Sequence, residues 1–269
     1  MSKVKLIGVP TSVGCRVETS EAMDQHNAPA ATRKMLSFIL EGYDILTNFD
    51  DLGDVTHAES VSSMLQAVKA KVLEIRKTQD IPLLLGGVHT LTLGTLRALH
   101  ESDKDFSVIY FDAHPDCMPR ADINYGSTIF HAVNEGVVDP RRFCYLGTRQ
   151  IERPEAELIK AKNILSYEAV DFEAFGANHI REQILKALPP PYFMSIDIDA
   201  IDPTMAPGVS APFPGGLTFR EVLYLAVEFA KHPMLAVEIV ELCPAADTNQ
   251  QTVKITARLL HAIAAALCG

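Results

Sequence analysis

The apolar run Phe106-Ser107-Val108-Ile109-Tyr110-Phe111 ends on Asp112-Ala113-His114-Pro115-Asp116, and this junction restricts the folds open to the chain. A run rich in Val, Ile, Tyr and Phe reads as a buried strand. Side chains at i, i+2 and i+4 of an extended segment point the same way, so Asp112, His114 and Asp116 converge where the strand ends. Two carboxylates and an imidazole brought together repel or desolvate one another unless a cation sits among them. Taken alone, the pattern also fits a solvated turn.

Two further strand ends strengthen the metal reading. Tyr192-Phe193-Met194-Ser195-Ile196 runs into Asp197-Ile198-Asp199, and Leu83-Leu84-Leu85-Gly86-Gly87-Val88 runs into His89. Together they offer six oxygen or nitrogen ligands: His89, Asp112, His114, Asp116, Asp197 and Asp199. That is too many for one zinc and suits two Mn²⁺ ions per chain. Four aspartates offset two dications and leave a bridging water polarised enough to ionise near neutral pH.

The rest of the chain reads as strands alternating with helices, which implies an α/β fold with a mostly parallel sheet covered on both faces. Strand-like segments are Val4 to Pro10, Tyr43 to Asn48, 81–85, Phe143 to Gly147, Ile164 to Tyr167 and Met234 to Leu242; Asp50 to Asp54 reads as a turn. Helical spacing is clearest from Ser60 to Lys77, with Ser60 as its cap, and in one helix from Phe172 to Ala187. The polar stretch from Thr11 to about Asn27 is long for a connection and is placed to cover a site. No linker or repeat divides the sequence, so residues 1–269 are expected to form a single domain. The formal net charge of −10 argues against nucleic acid or an anionic membrane surface as a partner. No apolar run reaches the roughly 18 residues of a membrane span. Five cysteines without a CxxC pair, and no signal-peptide pattern, fit a cytoplasmic location.

The three ligand motifs resemble those of the ureohydrolases: the arginases, agmatinases and formimidoylglutamases. Supporting segments span nearly the whole chain, including Pro29-Ala30-Ala31-Thr32-Arg33, Leu52-Gly53-Asp54, Ala206-Pro207-Gly208, Gly215-Gly216-Leu217-Thr218 and Val240-Glu241 before Pro244. The resemblance implies a three-layer αβα fold with a mostly parallel sheet of about eight strands, a binuclear manganese centre, and a homotrimer or homohexamer. It implies that His89, Asp112, Asp116 and Asp197 hold one ion, and that Asp112, His114, Asp197 and Asp199 hold the other. It also implies that Glu241 faces the amidinium group of a small-molecule amidine or guanidino substrate.

Three positions depart from the family pattern. Val88 replaces an acid in the first motif, Gly126 stands where arginases and agmatinases carry a loop histidine, and Val209-Ser210-Ala211-Pro212 replaces a Gly-Thr-rich segment. The last two are similar to many formimidoylglutamases, so N-formimidoyl-L-glutamate is the expected substrate, with arginine- or agmatine-type guanidino hydrolysis as the alternative. Its two carboxylates require a cation, for which Arg120 is the candidate. His131 is the nearest spare imidazole to the missing histidine, and Ser210 and Thr90 are placed to support the ligands or touch substrate. Arg149 either pins a loop or touches a ligand, and Cys117 reads as buried filler.

The expected chemistry is hydroxide attack on an sp² carbon bearing nitrogens. Asp116 would relay the proton to the leaving amine, and Glu241 would place the cationic head. Two rivals differ in metal content or turnover. A zinc deacetylase needs one ion, and a non-catalytic relative binds metal without hydrolysis.

Overall fold

Alternate residues of each apolar run face opposite sides of one sheet. The computed structural model describes residues 3–15, 23–41, 49–57 and 59–268. Its strands are β1 (Val4–Val9), β2 (Phe49–Asp54), β3 (Ile81–Gly86), β4 (Ser107–Phe111), β5 (Phe143–Thr148), β6 (Leu165–Glu168), β7 (Tyr192–Asp197) and β8 (Met234–Val240). They form one sheet in the order β2-β1-β3-β8-β7-β4-β5-β6, and every pairing is parallel. The connecting helices are α1 (Ala28–Glu41), α2 (Val61–Arg76), α3 (Thr92–Asp103), α4 (Thr128–Asn134), α5 (Arg153–Lys162), α6 (Ala169–Phe175), α7 (Ala177–Ala187), α8 (Phe219–Ala230) and α9 (Gln251–Cys268).

Strand periodicity sorts the core into two layers. Leu6, Ile109, Phe111 and Met194 pack with Met35 of α1, Ile184 of α7, Phe229 of α8 and Leu260 of α9. Ile7, Val9, Val108 and Tyr110 pack on the other face with Val68 of α2, Leu96 of α3 and Ile129 of α4. Ser60 caps α2 by accepting from the Ser63 N–H at 3.2 Å, and Thr218 opens α8 in a reciprocal bond with Glu221. No helix among the described residues is long and apolar enough to cross a membrane.

Two sequence expectations are corrected. Residues 50–54 are not a turn but most of β2, an exposed edge strand paired with β1. Its acids are tolerated there because Lys5 meets Asp50 while Arg33 of α1 meets both Asp51 and Asp54. The expected strand from Tyr43 to Asn48 lies outside the described residues. The single helix expected from Phe172 is two helices, α6 and α7, divided at Gly176 with φ 76° and ψ 149°.

That backbone conformation is essentially confined to glycine, and a non-glycine residue held there costs on the order of 1–3 kcal/mol. A Cβ on Gly176 meets nothing within 4 Å, so the penalty is one of backbone alone. Gly176→Ala should therefore lower unfolding free energy by about 1–3 kcal/mol with an unchanged denaturant slope. Urea denaturation checks this; a neutral substitution would mean that the α6–α7 corner relaxes to another geometry.

Candidate metal centre

The ligand residues come from β3, β7 and β4 and Glu241 from β8, four strands that are consecutive in the sheet. His89 follows β3 after the close turn Gly86-Gly87-Val88. A Cβ on Gly87 would lie 1.8 Å from the Thr11 carbonyl oxygen, so only glycine lets the loop after β1 pass this near. Asp112 directly follows β4, Asp197 ends β7, and a 3-10 turn over Ile198–Ala200 brings Asp199 back beside Asp197. Glu241 follows β8 with φ 66°, and Asp116 adopts φ 50°. These are left-handed conformations uncommon for such residues and seen where side chains are aimed at a site.

All six sequence-read ligands meet. His89 Nδ1 lies 3.0 Å from Asp112 Oδ2, 3.3 Å from Asp116 Oδ2 and 3.2 Å from Asp197 Oδ2. His114 Nδ1 lies 3.4 Å from Asp112 Oδ1 and 3.0 Å from Asp199 Oδ2. Asp112 thus turns one oxygen toward each imidazole, and two potential ion sites share it: His89–Asp112–Asp116 and Asp112–His114–Asp199. Asp197 contacts His89 and receives the Asp199 N–H on Oδ1. The outer ring nitrogens are held as well: His89 Nε2 at 2.8 Å by Ser195 Oγ, and His114 Nε2 at 2.9 Å by Gln150 Oε1.

The electrostatics show what the cluster lacks. Burial lowers the His89 pKa, but the carboxylates of Asp112, Asp116 and Asp197 outweigh it and hold the imidazole well above its ordinary range. Burial opposes the ionised form of Asp112, yet His114 and His89 bring it down to about 2. Burial raises Asp197 well above the usual carboxylate range, with Asp199 and Asp112 adding repulsion. Asp112 Oδ2 is buried, and although His89 Nδ1 lies 3.0 Å away, this oxygen has no hydrogen-bond partner among the described residues. An orphaned carboxylate oxygen among acids and inward-turned Nδ1 atoms fits a pair of hard-to-borderline dications such as Mn²⁺.

Several groups around the cluster were not singled out from the sequence. Tyr110 stacks on His89 with ring centroids 4.6 Å apart and donates to Asp116 Oδ2 at 3.1 Å. Its position two residues before Asp112 on the same strand face was a usable signal. Gln25 is another such group: its Nε2 donates at 3.2 Å to Glu241, which was read from the sequence and also accepts from the His89 N–H at 2.6 Å and from Ser210 Oγ at 3.1 Å. Gln25 opens a short 3-10 turn and Gln150 lies in a loop, and nothing in their spacing marks them.

A cavity of about 200 Å³ opens beside the cluster, lined by His114, Asp116, Arg120, Gly126, Glu152 and Glu155 among others. Arg120 therefore sits at the site, as does Ser210 through Glu241. His131 does not line this cavity; its Nε2 lies 3.3 Å from the Asp122 carbonyl and its ring packs on Phe130. Its place on α4 turns it away from the cluster. Arg149 pins a loop, donating to the carbonyls of Asp199 and Phe213, each at 2.7 Å. Thr90 contacts the Gly14 carbonyl, and Cys117 is buried with its thiol pKa raised by that burial.

The model of the arginase family matches residues 2–266. An arginase from Bacillus caldovelox is 26% identical, covering 98% of each chain. An agmatinase from Serratia proteamaculans is 30% identical, over 93% of this chain and 84% of its own length. The crystal structure of formimidoylglutamase from Bacillus subtilis superposes with a TM-score of 0.87 at 25% identity, covering 98% of this chain and 86% of that one.

The charge crowding predicts how the metal-free protein responds to pH. Asp116 is pushed up to about 7, by burial first and by the Asp112 charge next. A carboxyl with a raised folded-state pKa stabilises the fold below its unfolded value, and that contribution is lost as pH rises to the folded value. Asp197 and His89 shift in the same sense, while Asp112 acts only below about pH 4. The metal-free protein should therefore melt at progressively lower temperature from about pH 4 to about pH 7, and saturating Mn²⁺ should remove most of that slope. Calorimetry in matched buffers measures it; a melting temperature that climbs over this window without metal would contradict the account.

Proposed function

The chain belongs to the arginase family and is a hydrolase of linear amidines, and from that premise we propose that it cleaves a C–N bond of a guanidino substrate with two Mn²⁺ ions. The observation that carries the metal assignment is Asp112, whose two oxygens face different imidazoles. His89, Asp112, Asp116 and Asp197 would hold one ion, and Asp112, His114, Asp197 and Asp199 the other. When bound, the ions lower the pKa of water so that hydroxide is on hand near neutral pH.

The protein groups supply proton transfer and orientation. Asp116 Oδ2, steadied by Tyr110, takes the proton of the attacking water and passes it to the departing amine. Glu241 is fixed by three donors, which leaves about one lone-pair direction for the substrate head. Gln25 Oε1 beside it is buried and without a partner among the described residues. An acceptor pair of this kind suits a head group that only donates, as guanidinium does.

The cavity charge bears on the tail. Arg120 has no ion pair among the described residues and can receive one carboxylate, but Glu152 and Glu155 share the same cavity. N-formimidoyl-L-glutamate brings two carboxylates, and the second would meet those acids. This favours a guanidino substrate with at most one tail carboxylate. Gly126 and the Val209-Ser210-Ala211-Pro212 segment still favour formimidoylglutamate, which stands as the second reading. We carry the homotrimer or homohexamer as part of this proposal, to be read from light scattering.

Incubation of the Mn²⁺-loaded protein with guanidino acids, agmatine and formimidoylglutamate should release urea from one of the guanidino compounds. Formamide from formimidoylglutamate, with no urea, would move the assignment to the second reading. With a carboxylate-tailed substrate, Arg120→Ala should raise KM about tenfold or more while kcat changes little, as expected for loss of a charged hydrogen-bond partner. An unchanged KM would remove Arg120 from the site.

Gly126 borders the cavity, and a Cβ there meets only Asn124 Oδ1, at 3.7 Å. A side chain can therefore start at this position without a clash at Cβ, and Gly126→His should raise kcat for urea release by supplying a proton relay near Asp116. Steady-state kinetics decide it, and a variant that folds with unchanged or lower kcat would show that no relay is missing.

A further inference from the structure

The central strand β8 carries a second buried glutamate that the chemistry above leaves unused. Glu238 is fully buried, and hydroxyls rather than a Lys or Arg meet its carboxylate among the described residues. Its hydrogen-bond partners among the described residues are hydroxyls: Thr92 and Ser195 donate to Oε1, the latter at 2.8 Å, and Thr95 donates to Oε2 at 3.1 Å. A carboxylate in such a place is costly unless it is satisfied, and it is retained where it orders its neighbours.

The order it imposes runs to the metal cluster. Ser195 spends its one hydroxyl proton on Glu238, so its oxygen faces His89 Nε2 with lone pairs only, at 2.8 Å. Nε2 then keeps its proton, so the proton an ion would displace is the one on Nδ1, which faces Asp112, Asp116, Asp197 and the Tyr110 hydroxyl, and Nδ1 would become the coordinating lone pair. Reversing the Ser195 proton would present a donor to Nε2 and favour the tautomer that cannot bind metal through Nδ1. At His114 the Gln150 amide oxygen accepts from Nε2 at 2.9 Å and selects the same tautomer, but at a partly open position and with no buried carboxylate such as Glu238 behind it.

We propose that Glu238 is a positioning residue that acts through Ser195 to fix the His89 tautomer, and so sets the affinity of the one ion His89 helps to hold. This rests on the two-ion reading of the site. The test is Mn²⁺ titration of metal-free protein followed by paramagnetic resonance of the free ion, for the unmodified chain, Glu238→Gln, Ser195→Ala, His89→Ala and the double variant E238Q/H89A.

Glu238→Gln keeps the volume but lets an amide donate toward Ser195. It should weaken one of the two ions by about 10–100-fold, the range for loss of such an outer partner, and leave the other within error. In the His89→Ala background the same substitution should change nothing further, because its route is gone. Ser195→Ala removes the link with a smaller perturbation, so it decides the matter if Glu238→Gln does not fold; it should reproduce the selective weakening. Equal weakening of both ions, an effect that adds to that of His89→Ala, or unchanged affinities would overturn the proposal. If the unmodified protein itself fails to bind two Mn²⁺, the two-ion reading falls instead, and the proposal falls with it.

Discussion

Four buried aspartates gathered around two imidazoles, on strands spaced about 4.8 Å apart, repel one another strongly unless positive charge lies among them. Eight parallel strands send all their carboxyl ends to one edge of the sheet, and ligands from β3, β7 and β4 come together there beside Glu241 from β8. The loops around that edge are arranged to keep the acids apart yet convergent. Asp112 Oδ1 accepts the His114 N–H while still facing that imidazole; Asp197 Oδ1 is turned aside by the Asp199 N–H, and Asp199 Oδ1 by the Ala113 N–H. The second oxygen of each points inward, so backbone donors hold the outer half of a coordination shell.

Loop architecture follows from the same requirement. Asp202 receives the N–H groups of Thr204, Gly215 and Gly216, tying down the segment that carries Ser210. Arg149 closes that segment from behind through the carbonyls of Asp199 and Phe213. At the far edge, Arg33 joins the Pro29-to-Arg33 and Leu52-to-Asp54 segments, which are distant in sequence. Motifs that look unrelated along the chain are thus partners in the fold.

The ligands were legible from sequence because each closes an apolar run, and strand periodicity dictates which way Asp112, His114 and Asp116 point. What periodicity does not encode is neighbourhood. That β8 lies between β3 and β7, so that Glu241 and Glu238 stand beside His89, depends on strand order, which no local spacing records. Residues 50–54 were misread because three acids and a glycine resemble a turn, while the cations that make an edge strand tolerable, Lys5 and Arg33, lie in other elements. His131 was singled out by proximity in sequence to Gly126, yet the helical turn between them carries it to the Asp122 carbonyl.

The position of β8 also governs how the molecule is assembled. It pairs with β3 on one side and β7 on the other, so without it the sheet falls into two blocks, β2-β1-β3 and β7-β4-β5-β6. The keystone strand is the last to leave the ribosome, and its contacts span much of the chain, the kind of non-local pairing that makes folding slow. Until β8 is inserted, His89 belongs to one block and the aspartates to the other. The ligand set that includes His89 is therefore complete only when β8 joins the two blocks, while the aspartates already stand together on β4 and β7.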